Sequence, residues 1–76
     1  MQVTELAVGL TDGKGELVRL YDWLAQRKIT VREIDLKRQE GSSVKIVLYI
    51  AMPRHFDKAD FLRLQEDIPG VQSVEI

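Results

Sequence analysis

The pattern of apolar and polar positions centres on one stretch, Ser43 to Ala51, which is the most apolar run in the chain. It is rich in β-branched and aromatic residues, contains no Gly or Pro and ends at Met52-Pro53, features that predict a β-strand. Alternate residues of a strand share a face. One face carries Val44, Ile46, Leu48 and Ile50, and the other carries Lys45, Val47, Tyr49 and Ala51. Because both faces are largely apolar, this strand is predicted to be central in its sheet.

The same reasoning predicts five further elements. Alternation predicts strands, and apolar residues recurring every three or four positions predict helices. In chain order, the predicted elements are a strand over Gln2–Leu10, a helix over Glu16–Arg27, a strand over Ile29–Gln39, a helix over Asp57–Asp67 and a strand over Val71–Ile76.

The first predicted helix has a clear apolar stripe at positions i, i+3, i+4 and i+7. The stripe consists of Leu17, Leu20, Tyr21 and Leu24, with Val18 and Trp23 flanking it. No glycine ends this helix, so a short turn through Lys28 is expected. For the second helix, Asp57 is a natural N-cap, and Phe56 and Phe61 have the spacing of a hydrophobic staple across the first turn.

The second predicted strand is heavily charged, which is typical of a sheet edge. Ile34 and Leu36 alternate with charged residues, whereas Ile29 and Val31 have the opposite parity. A β-bulge near Arg32 or a two-sided start of the strand would reconcile the two halves. Glu40-Gly41-Ser42 then predicts a hairpin turn into the apolar strand.

The element order is therefore β-α-β-β-α-β. Right-handed crossovers place the first and third strands in the middle, the second and fourth at the edges, and both helices on one face. The predicted fold is α+β and ferredoxin-like, with a four-stranded antiparallel sheet. The apolar strand becomes central and the charged strand becomes an edge, as their patterns require.

The composition of the chain excludes several classes of function. The 76 residues are enough for one small domain. The chain has no Cys, eleven basic and twelve acidic residues, so it lacks both thiolate metal ligands and the basic excess of nucleic-acid binders. No run approaches the ~20 apolar residues of a membrane helix. We expect a soluble domain that binds no nucleic acid, and whether Met1 is the native start stays open.

The sequence offers no catalytic or metal-binding set. His55 is the single histidine and has no Cys or second His as a partner. The acidic residues of the second helix are spread around its axis, which indicates a solvated face, although a divalent-cation site is the alternative. We therefore expect no enzyme activity, no cofactor and no metal.

Two candidate interaction sites remain. The sheet face away from the helices is predicted to be an interface because its apolar residues form a contiguous patch; they are Ala7, Val47, Tyr49 and Ala51. The alternative is a mixed surface without a partner. The strand-to-helix loop is a candidate anion or ligand site because backbone N–H groups at a helix start bind carboxylates and phosphates. Its residues are Thr11, Asp12, Gly13, Lys14 and Gly15, with a plain connection as the alternative.

Three segments resemble the ACT domain family. The stretch Thr11–Leu17 is similar to the family's helix opening, in which a strand is followed by Asp-x-x-Gly and a leucine helix. Arg27–Val31 is similar to the family's passage from the helix into the second strand. Ile68–Val74 is similar to the family's Pro-Gly-Val-x-x-Val ending. Lys14 stands where the family usually has a proline before the loop glycine. The resemblance covers essentially the whole chain and implies a regulatory domain.

One version of this family is more similar. The segments Leu20–Leu24, Asp35–Arg38 and Ile68–Ile76 resemble the cytosolic C-terminal domain of MgtC/SapB-type membrane proteins. This resemblance implies a tail on the cytoplasmic side of a bacterial inner membrane, attached to a membrane portion of the same chain and linked to magnesium homeostasis. We also expect homodimers formed through a sheet face or edge, because Val47, Tyr49 and Ala51 lie on the uncovered face.

Two alternatives stay open. One is an amino-acid-sensing ACT domain of a cytoplasmic metabolic enzyme or (p)ppGpp synthetase/hydrolase, which would bind a small-molecule effector. The other is a stand-alone adaptor.

Overall fold

The computed structural model describes residues 2–11, 15–38, 41 and 43–76. Its elements follow the predicted order β-α-β-β-α-β, with a short 3₁₀ helix at the start of the second helical segment. They are β1 Gln2–Thr11, α1 Glu16–Gln26, β2 Thr30–Arg38, β3 Ser43–Met52, a 3₁₀ helix Lys58–Arg63, α2 Leu64–Asp67 and β4 Val71–Glu75. The predicted hairpin turn at Glu40-Gly41-Ser42 lies largely outside the described residues.

The four strands form one antiparallel sheet in the order β2-β3-β1-β4. The apolar strand β3 is central, the charged strand β2 is an edge, and the ferredoxin-like prediction is confirmed. β1 and β3 pair without interruption from Gln2 opposite Met52 to Thr11 opposite Ser43. The predicted bulge is present, since the register of β2 on β3 shifts between Val31 and Glu33.

The core lies between one face of the sheet and the helical segments. Leu6 and Val8 of β1 and Ile46, Leu48 and Ile50 of β3 are completely buried there. The helical segments contribute Leu20, Leu24, Phe61 and Leu64 to the same cluster. On β4, Val74 packs against this cluster, whereas Ile76 lies beyond the strand and is exposed.

The buried side of α1 differs from the predicted stripe. Trp23 is only 6% exposed, whereas Tyr21 is 37% exposed. The reason is the neighbouring helical segment, because the indole Nε1 of Trp23 donates a 2.8 Å hydrogen bond to Asp67 Oδ2 and its ring lies 6.0 Å from that of Phe61. The helix is therefore oriented so that its Trp23 side faces the core and its Tyr21 side faces solvent.

The second helical segment begins as predicted but continues differently. Asp57 Oδ1 accepts a 3.0 Å hydrogen bond from the Ala59 N–H, and the Phe56 and Phe61 rings lie 4.9 Å apart, so both the cap and the staple are present. A continuous α-helix was expected, but six residues are 3₁₀ and only four are α-helical. In a 3₁₀ helix residues three apart lie on one side, which buries Phe61 and Leu64 together.

The turn after α1 also follows the prediction. Lys28 adopts a left-handed conformation with φ 60°. The N–H of Lys28 bonds the carbonyl of Ala25, and the N–H of Ile29 bonds that of Leu24. These bonds satisfy carbonyl groups that the end of the helix leaves free, although no glycine is present.

Candidate functional site

The sheet face opposite the helical segments, called the open face below, carries alternate residues of every strand. The register arranges them in rows that run across the sheet. One row holds Glu5, Tyr49 and Glu33, the next holds Glu75, Ala7, Val47 and Asp35, and the third holds Ser73, Gly9, Lys45 and Lys37.

The four predicted interface residues lie together on the open face, but they are not equally accessible. Ala51 is 0% and Val47 8% exposed, whereas Tyr49 is 38% exposed and Ala7 is half-buried. The small side chains are shielded because β3 has a neighbouring strand on each side. A partner would therefore meet the Tyr49 ring beside a small apolar centre, with charged residues around it.

A shallow depression of about 470 Å³ opens on the sheet near Gly9 and Lys45 of this face. Gln72, Ser73 and Glu75 of β4 form its other side. A Cβ on Gly9 would lie 2.5 Å from the Ser73 Oγ, so the hydroxyl of Ser73 would have to turn to another rotamer to admit a side chain there. The register of β4 on β1 also shifts between Gly9 and Leu10, an irregularity that the sequence did not reveal.

The loop site is described only at its two ends. Thr11 N–H donates a 2.8 Å hydrogen bond to the Gly70 carbonyl, and Gly15 caps α1 in a left-handed conformation with φ 84°. Asp12, Gly13 and Lys14 lie outside the described residues. Ligand binding by this loop stays a prediction.

The carboxylate of Glu16 occupies the space beside the start of α1. A Cβ on Gly70 would lie 2.8 Å from Glu16 Cγ and 3.0 Å from Thr11 Oγ1. Glu16 Oε2 is buried and accepts no hydrogen bond from the described residues. A negative charge therefore already lies at the positive end of the helix dipole.

Three of the acidic residues in or next to the second helical segment have structural contacts. Asp57 is the cap, Asp60 Oδ1 lies 3.9 Å from Arg63 Nε, and Asp67 Oδ2 lies 3.8 Å from Arg27 Nη2. Within the described part of the chain, no group of three His, Cys, Asp or Glu residues is placed to hold a metal ion.

A second exposed apolar surface was not anticipated from the sequence. Ile34 pairs with Leu48 and Leu36 with Ile46, so both point to the helix-covered side, yet both are exposed. Val18 and Tyr21 of α1 are exposed too, on the flank away from Trp23. Ile34 and Leu36, called the edge ridge below, lie on the outermost strand, where the helices do not cover them. The sequence signal for this surface was the alternation of Ile34 and Leu36 with charged residues on β2.

Comparison with solved structures identifies the fold. The C-terminal domain of the MgtC protein from Mycobacterium tuberculosis matches with a TM-score of 0.73 and 21% identity, over 99% of this chain and 84% of that chain. The ACT domain of GTP pyrophosphokinase from Chlorobium tepidum matches with a TM-score of 0.65 and 17% identity, over 96% of this chain and 94% of that chain. The chain has the ACT-like fold.

Larger proteins contain the same ACT-like arrangement. A formyltetrahydrofolate deformylase from Pseudomonas putida KT2440 matches with a TM-score of 0.73 and 16% identity over 99% of this chain. The present chain spans only 29% of that enzyme. No family model and no curated protein matches the sequence.

The described helices of this ACT-like chain are short. None of them combines the length and the apolar character that crossing a membrane requires.

Proposed function

We propose that this chain is a non-enzymatic ACT-like regulatory or interaction domain, the cytosolic C-terminal domain of an MgtC/SapB-like membrane protein linked to magnesium homeostasis. The observation that carries the proposal is the match to the MgtC C-terminal domain, which spans nearly all of this chain and most of the other. The deformylase match, by contrast, uses less than a third of that enzyme.

In this proposal the domain acts by pairing with a second copy and coupling that pairing to the membrane portion. The accessible surfaces that support pairing are Tyr49 on the open face and the edge ridge on β2. Exposed apolar patches of this kind usually mark interfaces. The domain itself carries out no reaction and holds no cofactor.

The test is fractionation of cells with an antibody raised against this domain. A membrane-bound product much larger than 76 residues is the expected result. A larger soluble product would contradict the membrane assignment and favour a domain of a soluble enzyme. A soluble product of the domain's own size would contradict both and leave a stand-alone adaptor.

The second candidate function is an amino-acid-sensing ACT domain of a metabolic enzyme or a (p)ppGpp synthetase/hydrolase. It is supported by the match to the GTP pyrophosphokinase domain, of which this chain covers 94%. A ligand bound only by the folded state stabilises it by about 2.7 kcal/mol at a hundredfold excess over Kd. A thermal-shift screen of amino acids and nucleotides tests this, and a flat result would remove the support.

A further inference from the structure

We propose that the open face binds the open face of a second copy with the strands of the two sheets reversed, so that the acidic end of one copy covers the lysine end of the other. This inference rests on the proposed function in one respect, the pairing of the domain with itself. It adds the surface, the orientation and the contacts that select them.

The open face is bipolar along the strand direction. At one end, Glu5 and Glu33 lie on either side of Tyr49. At the other end, Lys37 lies directly opposite Lys45. The two ends are separated by the row of Ala7 and Val47, and rows on one face are about 7 Å apart.

The middle row and the bulge change the charge difference between the two ends of the open face only slightly. Asp35 and Glu75 are at or near the two outer ends of the row that contains Val47. Because this row is the middle one, it faces the equivalent row of the second copy in either orientation and does not distinguish the two. Arg32 is the extra residue of the bulge beside Glu33 and is exposed.

Within one copy, the charges that lie directly opposite each other on neighbouring strands are alike, as with Lys37 and Lys45. Like charges directly opposite on neighbouring strands are destabilising. The ion pairs among the described residues join Arg27 to Asp67 and Arg63 to Asp60, and all four residues lie on or directly next to the helical segments. The carboxylates and lysines of the open face are therefore free, within the described part of the chain, to pair with a second copy.

Charge selects one of the two symmetric ways to stack the faces. A two-fold axis along the strands places each row against the equivalent row of the second copy. Carboxylates then face carboxylates, and lysines face lysines. An axis across the strands places the Glu5–Tyr49–Glu33 row toward the Lys45–Lys37 row. Like-charge contacts disfavour a wrong arrangement and complementary ones fix the register, so the second orientation is the one we infer.

Shape agrees with this orientation. Tyr49 is the exposed aromatic ring of the acidic end, and the lysine end has the depression beside Gly9. Reversal of the strands carries the ring toward the depression and toward Lys45 of the second copy. An ammonium group over a tyrosine ring is a favourable contact.

The face is large enough for a reversible dimer. The sheet consists of three strands of nine or ten residues and one of five. With about 4.8 Å between strands and 3.4 Å per residue, the open face has an area of roughly 550 Å² per copy. The total of about 1,100 Å² just exceeds the ~1,000 Å² expected of a specific interface.

The first experiment is sedimentation equilibrium of the 76-residue chain and its charge variants. We expect the wild type to dimerise and Lys45→Glu to lower the association constant at least tenfold, because the new carboxylate faces the acidic end of the second copy. Lys58→Glu, on the exposed start of the 3₁₀ helix, is the matched control and should leave association unchanged. Circular dichroism verifies that each variant is folded.

Restoration sharpens this test. Glu33→Lys or Lys37→Glu alone should weaken the dimer, and the double variant should recover it, because the two positions exchange roles. Pairing through the β2 edge would respond to these changes too, but not to Lys45→Glu, since Lys45 lies on a central strand. A monomeric wild type, or a dimer insensitive to Lys45→Glu, would overturn the inference.

Crosslinking tests the orientation directly. The chain has no cysteine, so Tyr49→Cys and Lys45→Cys each introduce a single thiol. A short bismaleimide should join a mixture of the two variants far more efficiently than Tyr49→Cys alone. Preferential self-crosslinking of Tyr49→Cys would contradict the reversed arrangement.

The experiments can contradict the reversed dimer and the proposed function independently of each other. A monomeric domain whose native product fractionates with membranes would overturn the pairing and leave the membrane assignment in place. A reversed dimer from a soluble product would do the opposite.

Discussion

The two faces of the sheet are built from the same strands but differ in what they bury. On the helix-covered face, Leu6, Val8, Leu48 and Ile50 are completely enclosed by apolar neighbours. On the open face, Val47 and Ala51 are buried but Tyr49 is exposed among charges. Strand alternation thus separates two tasks: one face specifies the fold, and the other is available for contacts outside the domain.

The largest expected effect comes from breaking the helix-covered face. Leu48→Ala should lower the free energy of unfolding by about 3–5 kcal/mol, because it removes a fully buried side chain and leaves a cavity. Urea unfolding measures the change. Leu36→Ala is the matched control, since this leucine is on the same side of the sheet but 57% exposed, and it should cost less than about 1 kcal/mol. Equal losses would contradict the comparison.

A smaller effect is expected on the open face at its tightest point. Gly9→Ala should destabilise the fold by up to about 1.5 kcal/mol, because the new Cβ would lie 2.5 Å from the Ser73 Oγ and force that hydroxyl into a less favourable rotamer. Ser73→Ala removes that oxygen, so the double variant should recover most of the loss in thermal unfolding. A double variant as unstable as Gly9→Ala would place the strain elsewhere.

The junction between α1 and α2 should respond less. Trp23→Phe keeps an aromatic ring but removes the hydrogen bond to Asp67, and it weakens the contact with Arg27, whose Cζ lies 3.7 Å from the ring centroid. We expect a loss of about 1 kcal/mol. Tyr21→Phe, on the exposed side of the same helix, should be nearly neutral. Chemical denaturation of both variants compares the two sides of α1.

The smallest change concerns a turn that belongs to neither face. Lys28→Gly should raise stability by about 0.5–1 kcal/mol, because glycine adopts the φ of 60° without steric cost. Lys28→Ala retains the Cβ and serves as the control, with no comparable gain. A higher melting temperature for the alanine variant than for the glycine variant would contradict the role assigned to the backbone.

The sequence predicted the fold well because its strongest signals are local. The two-sided apolar pattern of β3, the charge on β2 and the cap at Asp57 each depend on neighbouring residues. The exchange of Tyr21 for Trp23 in the core could not be predicted, since it depends on where the second helical segment packs. The 3₁₀ geometry follows from the same packing.

The candidate site was predicted less completely. Alternation placed Val47 and Ala51 on the open face, but their burial depends on side chains of adjacent strands. The bipolar charge of that face appears only when three strands are aligned in register, as with Lys37 opposite Lys45. A sequence pattern within one strand cannot contain this information.

The position of β1 between β3 and β4 has a consequence for the time course of folding. The strand that leaves the ribosome before the others cannot complete its hydrogen bonding until Val71–Glu75 has been synthesised. Closing such distant pairs costs chain entropy before their contacts can compensate for it, so the domain should fold in milliseconds or more rather than microseconds. During translation, the part of β1 from Ala7 to Leu10 therefore leaves one edge unpaired, and Glu5 just before it is the charged residue of β1 that opposes association with other nascent chains.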